Sequence, residues 1–151
     1  MATIDDLVVN PFFEKAKEGL PNITFASREM TFRMRVFELF EQMGLQQYNL
    51  PSATYDKWGQ AHFSEFFIGR VYHQPEIKSL IIVSPYYDDL DSISANRRMK
   101  QVSRITGKTT YFLKVRPTKP GETIGISSFE GKDFYRKIII ARPINLASAK
   151  T

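Results

Sequence analysis

The strongest constraint on the fold is a run of four apolar residues, 80–83 (Leu-Ile-Ile-Val), which is followed by Ser84 and Pro85. Successive side chains of a β-strand point to opposite faces of the sheet, so this run presents apolar surface on both faces. Such a strand is stable when both of its faces are covered, as in the centre of a layered domain. The run therefore predicts a central strand with packing on both sides.

Further strands are predicted before and after this run. Residues 63–73 are rich in β-branched and aromatic side chains, and a turn at 74–76 joins them to the strand at 77–84 as a hairpin. Gly69 lies inside the first of these strands and predicts a bulge. The later part of the chain predicts a meander of three more strands at 109–116, 123–129 and 134–142.

Two main helices are predicted between these strands and ahead of them. Ser27 is a suitable N-cap for a helix at 28–43, because its hydroxyl can accept a free amide hydrogen of the first turn. Gly44 suits the left-handed residue that follows a helix. A second helix is predicted from 94 to about 106. The element order predicts one α+β domain, with a mainly antiparallel sheet of about five strands and the two helices packed on one face.

The two ends of the chain differ from its middle. Two prolines flank a short possible helix at 12–18, so residues 1–26 are expected to form an N-terminal arm or short helix. Residues 27–144 are expected to form the α+β domain. Small and polar residues at 145–151 predict a flexible tail.

The apolar runs of the chain are too short to span a bilayer, and the N-terminal residues lack the apolar stretch of a signal peptide. We therefore expect no membrane association and no secretion by a signal peptide. The expected location is the cytoplasm or the interior of an assembled particle.

The residue types argue against most reaction chemistry. The chain has no cysteine, which excludes disulfides and thiolate zinc sites. Its two histidines, His62 and His73, lie at the ends of one predicted strand. The rise of an extended strand separates them by roughly 35 Å, which is too far for a shared metal or an acid–base pair.

Two short motifs resemble parts of nucleotide-handling sites. Residues 86–89 (Tyr-Tyr-Asp-Asp) resemble the Tyr-x-Asp-Asp metal motif of reverse transcriptases, but the rest of that fold does not fit into this chain. The segment 107–109 (Gly-Lys-Thr) resembles the end of a phosphate-binding loop, but the required earlier glycine is replaced by Val102. We therefore expect a protein that is not an enzyme and has no cofactor, no metal and no small-molecule substrate.

One block of the sequence carries a strong charge. Residues 92–121 contain eight basic and no acidic side chains, whereas the whole chain has a net charge of +5. A block of positive charge attracts anions. On a helical projection Arg97, Lys100 and Arg104 share one face. The opposite face carries Ala95, Met99 and Val102.

The basic block continues into the next predicted strand, where Phe112, Lys114 and Arg116 share a face. Lysine and arginine that neutralise phosphates gain free energy by releasing counterions, and an exposed Phe112 would stack on an unpaired base. The pattern predicts a non-enzymatic basic module that binds DNA or RNA through phosphates. Its candidate contacts are Arg97, Arg98, Lys100, Arg104, Lys108, Phe112, Lys114 and Arg116.

Two other interpretations remain open at the level of sequence. A charge run of this kind is also typical of a solvated helix face together with an edge strand that is protected by lysines. Alternatively, the chain is a structural or assembly protein, such as a virion, connector or tail component, with protein partners or self-association. In that case the basic block would meet an acidic patch of a neighbouring copy, formed by Asp88, Asp89 and Asp91.

Overall fold

The predicted apolar run forms β5 (Ser79–Pro85), and every residue of this strand is buried. The computed structural model describes residues 2–19, 29–63, 66–85, 92–117, 125–130 and 135–141. The central position and two-sided cover of β5 confirm the prediction from its composition. The predicted tail at 145–151 lies outside the described residues.

Three helices of ten or more residues occur in the described part of the chain. A π-helical turn (Asp5–Val9) leads into α1 (Asn10–Gly19), and α2 (Glu29–Gln42) follows. The third helix is α3 (Ser92–Thr106). The predicted short helix at 12–18 is therefore part of a longer one.

One sheet collects the described strands. They are β1 (Gln46–Gln47), β2 (Thr54–Tyr55), β3 (Ala61–Phe63), β4 (Phe66–Gln74), β5, β6 (Thr109–Pro117), β7 (Gly125–Glu130) and β8 (Tyr135–Ala141). Their order is β2-β3-β4-β5-β6-β8-β7, with β1 also paired to β4. Five of the seven strand pairings among these residues are antiparallel. The protein is thus an α+β domain with a mostly antiparallel sheet, as predicted.

The connection of the last three strands differs from the predicted meander. β8 lies between β6 and β7 and runs parallel to β6, while β7 pairs antiparallel with β8. β5 and β6 are also parallel, and α3 connects them. The sequence of β8 contains three successive isoleucines, a composition typical of an interior strand with parallel neighbours.

The predicted strand at 63–73 is divided into β3 and β4, which pair antiparallel. Ala61 lies opposite Gly69 while His62 lies opposite Phe67, so β4 contains one extra residue. This irregularity confirms the bulge predicted at Gly69. Gly69 has φ +102°, and a Cβ atom there would lie 2.4 Å from the carbonyl oxygen of Val83. Only glycine fits such a close approach of two backbones.

The helices cover both faces of the sheet, so the prediction of helices on one face is wrong. On one face, α1 and α2 pack over Tyr72, Ile81 and Leu113. On the other face, α3 packs through Met99 and Val102. The physical reason is that β5 is apolar on both faces and needs cover on each.

The N-terminal helix belongs to the first of these two cores. Val8, Val9 and Phe12 are fully buried, and the ring of Phe12 stacks on that of Phe40 with 4.2 Å between their centroids. Stacked aromatic pairs of this kind add to the free energy gained by burial. The residues predicted as a possible arm thus pack against α2 of the same chain.

Candidate nucleic-acid interface

The two faces of α3 have opposite character, as the helical projection predicted. Met99 and Val102 are fully buried against the sheet, whereas Arg97, Lys100 and Arg104 are exposed. The 3.6-residue period of the helix produces this division, because positions 97, 100 and 104 fall on the side opposite 99 and 102. The result is a row of three cationic side chains along the outer face of α3. We refer to this row as the α3 crest.

The C-terminal end of α3 determines where the next basic residue lies. The amide of Gly107 donates to the carbonyl of Ser103 at 2.8 Å, and Gly107 has φ +70°. The hydroxyl of Thr106 donates to the Val102 carbonyl and accepts the amide hydrogen of Lys108 at 3.3 Å. This left-handed ending places Lys108, which is half-buried, directly beyond the crest. Arg98, also half-buried, lies on the flank of α3.

The structure corrects the expectation for two residues of β6. Phe112 is 1% exposed and packs in the same core cluster as Met99 and Val102, so its ring is covered by α3. Lys114 is 7% exposed. The sequence predicts the alternation of β6 and places Phe112 and Lys114 on a solvent face, but both side chains are buried. Phe112 therefore cannot stack on a base, and Lys114 does not belong to an exposed surface.

The remaining candidate residues belong to the end of β6 and to the segment that precedes α3 in the sequence. The backbone of Arg116 pairs with Ile140 of β8, which places this residue near the end of β6. The candidate oligomer contacts lie outside the described residues; they are Asp88, Asp89 and Asp91.

A polar cluster that the sequence did not predict fixes the turn between β2 and β3. Oδ1 of Asp56 accepts the amide hydrogens of Trp58 and Gln60 at 2.9 and 3.0 Å. Its Oδ2 lies 3.1 Å from Nε2 of His62 and 3.2 Å from Nε2 of Gln60, which donates to it. The available sequence signal was an aspartate three positions before Gly59, a pattern typical of turns.

These contacts set the pKa of the Asp56 carboxyl. Burial by itself would raise this pKa, but hydrogen bonds from His62, Gln60 and Trp58 outweigh it and hold the pKa below its ordinary value.

The two histidines are closer together than the 35 Å expected from one extended strand, because β3 and β4 fold back on each other. Since His62 lies opposite Phe67, six residues of β4 separate it from His73, or roughly 20 Å.

A second polar cluster joins this hairpin to α2. Nε of Arg70 donates to the carbonyl of Trp58 at 2.9 Å, and Nη2 donates to the same oxygen. Nη1 pairs with Glu41, which also accepts the hydroxyl of Tyr72 at 3.0 Å. Burial raises the pKa of the Tyr72 phenol above its ordinary value, so this hydroxyl stays protonated.

An open cleft of about 700 Å³ lies at another part of the surface. Its walls come from the first residues of the chain, the β4–β5 turn and β6: Ala2, Thr3, Ile4, Asp5, Glu76, Ile77 and Tyr111. It contains two acidic side chains and none of the predicted basic contacts. The cleft is thus separate from the α3 crest.

Within the described ranges, no three or more histidine, aspartate or glutamate side chains are grouped so that they could hold a metal ion. Over the same ranges, no helix is both long and apolar enough to cross a membrane. No protein-family model matches this chain, and neither a curated protein nor a solved structure is significantly similar to it.

Proposed function

We propose that the protein is a non-enzymatic module that binds nucleic acid through contacts between α3 and phosphates. The observation that carries this proposal is the α3 crest, in which Arg97, Lys100 and Arg104 are all exposed on one face of a helix anchored by Met99 and Val102. The anchoring matters because a buried inner face holds the three cationic side chains in one fixed row.

The spacing of the crest supports a contact with successive phosphates. Arg97 and Arg104 are seven residues apart, and a rise of 1.5 Å per residue separates them by about 10 Å along α3. Each strand of a duplex carries one phosphate per 3.4 Å of its axis, so this length corresponds to about three phosphates. Three cations thus face a similar number of negative charges.

The burial of Phe112 restricts the mode of binding. Because the Phe112 ring is buried, it cannot serve as a platform on which unpaired bases stack. The basic surface would therefore act through its charge. The proposed contact is therefore directed at the backbone and carries little sequence preference. Such a module would act in the cytoplasm or inside an assembled particle.

The test measures how the affinity for a labelled duplex oligonucleotide depends on salt concentration. Binding is detected by fluorescence anisotropy. With three phosphates neutralised, log K should fall with log [salt] with a slope of about −2.7. An affinity that does not change between low and moderate salt would contradict the proposal. Light scattering on the same samples reports the oligomeric state, and large assemblies without affinity for the oligonucleotide would support an assembly role instead.

A further inference from the structure

We infer that the cleft beside the N-terminal residues binds a linear aliphatic polyamine, a chain of methylene groups that carries two or more ammonium ions. This inference is independent of the proposed function, because the cleft and the α3 crest share no residues. It follows from the size of the cleft, from its two carboxylates on different segments of the chain, and from the apolar side chains that line it with them.

The cleft has the size of a binding site for a small molecule. Its volume of about 700 Å³ lies within the range of about 300–1,000 Å³ that is usual for ligand pockets. Ile4 is 6% exposed, and Ile77 and Tyr111 are half-buried against the same core, so they form the deeper part. Thr3 and Glu76 are exposed and lie at the mouth. An apolar interior with polar groups at its edge suits a ligand with a hydrocarbon body.

Both charged side chains that line the cleft are acidic. Asp5 comes from the N-terminal residues and Glu76 from the β4–β5 turn, and the other described residues that line the cleft carry no charge. A carboxylate accepts as many as about four hydrogen bonds, so each of the two can take an ammonium donor besides its contacts within the protein. Two separate carboxylates match a ligand with two ammonium ions better than a ligand with one.

The methylene groups of a polyamine have their counterpart in Ile4 and Ile77. Alkylammonium groups pack their hydrocarbon stem on apolar surface while the charged end stays at the edge. Tyr111 adds an aromatic ring, and ammonium ions are attracted to the faces of such rings. A lysine side chain of a partner protein would fill only a small part of the cleft and would supply one ammonium. A free polyamine is therefore the better match.

Local hydrogen bonds hold both walls of the cleft in place. Thr3 donates from its amide and from its hydroxyl to Oδ2 of Asp6 at 3.3 and 3.1 Å, which fixes the segment before the first helical turn. In the β4–β5 turn, the amide of Glu76 donates to Oε1 of Gln74 at 2.9 Å, and Gln74 is itself buried. Walls that are already ordered lower the free-energy cost of binding a ligand.

The net charge of the whole chain opposes the binding of cations. At +5, the protein repels polyamines on average, so nonspecific attraction does not bring them to its surface. Binding of a polyamine therefore requires a local acidic site.

The first experiment measures the binding of linear diamines, from diaminopropane to diaminooctane, to the full chain without nucleic acid. Isothermal titration calorimetry at low salt gives each affinity. Two carboxylates at a fixed separation should select one length, and we expect the best diamine to bind at least about tenfold more tightly than pentylamine, which has one ammonium. Pentanediol, which has no charge, should bind more weakly still. Affinity that does not depend on length, tighter binding of a lysine-containing peptide, or no binding would overturn the inference.

The second experiment removes the two carboxylates. Asp5→Asn combined with Glu76→Gln keeps the shapes of the side chains, and we expect the affinity for the best diamine to fall at least about tenfold while thermal unfolding shows that the fold is retained. Glu14→Gln combined with Glu38→Gln is the matched control, because both residues are exposed and lie outside the cleft. An equal loss of affinity in the two double variants would overturn the assignment to the cleft.

Chemical shifts of the unmodified protein locate the site without any substitution. On titration with the best diamine, we expect the largest changes at the backbone amides of Thr3, Asp5, Glu76 and Ile77. Largest changes at the acidic residues of α2 would place the polyamine elsewhere and overturn the inference. None of these outcomes bears on the binding of oligonucleotides by the α3 crest, which is measured separately.

Discussion

The guanidinium carbon of Arg70 lies 4.5 Å from the centre of the Phe37 ring, and this contact fastens β4 to α2. The same guanidinium donates to the carbonyl of Trp58 and pairs with Glu41, so one side chain joins the helix, the central sheet and the β2–β3 turn. A planar group with several donors is required, because a lysine has a single nitrogen and cannot reach two acceptors while lying flat on the ring.

Arg70→Lys is therefore expected to lower the free energy of unfolding by about 1–2 kcal/mol, although the positive charge is kept. Urea denaturation followed by circular dichroism measures this change. Arg35→Lys is the matched control, because the Arg35–Glu38 pair lies within one helix and is more exposed than the Arg70–Glu41 pair. The control should change the stability by less than about 0.5 kcal/mol. Equal effects of the two substitutions would contradict the role given to Arg70.

Gly69→Ala is expected to be among the most damaging substitutions in the sheet. The added Cβ would lie 2.4 Å from the backbone oxygen of Val83, and neither backbone can yield easily. We expect a loss of more than about 2 kcal/mol, measured as a lower midpoint of thermal or urea unfolding. Gly107→Ala is the control, since its φ is +70° but no atom lies within 4 Å of the added Cβ. It should cost only about 1 kcal/mol from backbone strain.

The Phe112→Leu substitution distinguishes a role of this side chain in core packing from a role in binding nucleic acid. Because the ring lies in the core under α3, we expect the substitution to lower stability by about 1–2 kcal/mol while the affinity for oligonucleotides stays within about twofold. Unfolding curves and anisotropy titrations on the same preparation give both values. A large loss of affinity in a variant that remains as stable as the original protein would show that Phe112 does contact the ligand.

The α3 crest itself is tested by Arg97→Gln combined with Arg104→Gln. Removing two of three phosphate contacts should weaken binding and reduce the magnitude of the salt slope by about 1.8. Lys57→Gln combined with Lys78→Gln lowers the net charge equally, and both lysines are exposed on turns outside α3. If this second pair weakened binding as much as the first, net charge and not the crest would govern the affinity.

Asp56 should make stability depend on pH in the acidic range. Its pKa in the folded protein lies below the ordinary value of 3.8, so the carboxylate stabilises the fold fully above that value. This contribution is lost as the pH falls through the lower pKa of the folded state. Asp56→Asn places amide hydrogens against the Nε2 atoms of Gln60 and His62 and lacks the charge.

The Asp56→Asn variant should therefore be less stable than the original protein at neutral pH, with a difference that shrinks below about pH 4. Urea unfolding at a series of pH values measures this difference. A difference that stayed constant down to strongly acidic pH would show that the Asp56 charge contributes nothing.

Local patterns predicted the helices and the central strand well. The outer face of α3 and the burial of Met99 and Val102 followed from a period of 3.6 residues, which a helix satisfies whatever surrounds it. The two-sided cover of β5 followed from its uninterrupted apolar run. The bulge at Gly69 was predicted because a glycine inside a strand often marks such an irregularity.

The pairing of strands and the exposure of β6 could not be predicted in this way. The side chains of 109–116 alternate between two faces of the strand, and each face carries an aromatic ring, Tyr111 on one and Phe112 on the other. The sequence therefore does not show which face is covered by the helix. Similarly, the contacts of Arg70 join segments far apart in the chain. Sequence patterns of a few residues contain no information about such distant neighbours.

The sequence by itself determined the row of cations on α3, because helical geometry is set by hydrogen bonds between residues four apart. Only the tertiary structure decided that Phe112 packs beneath this helix, that Lys114 is buried, and that β8 separates β6 from β7. These features depend on which apolar faces meet, and that choice is made by burial summed over the whole domain.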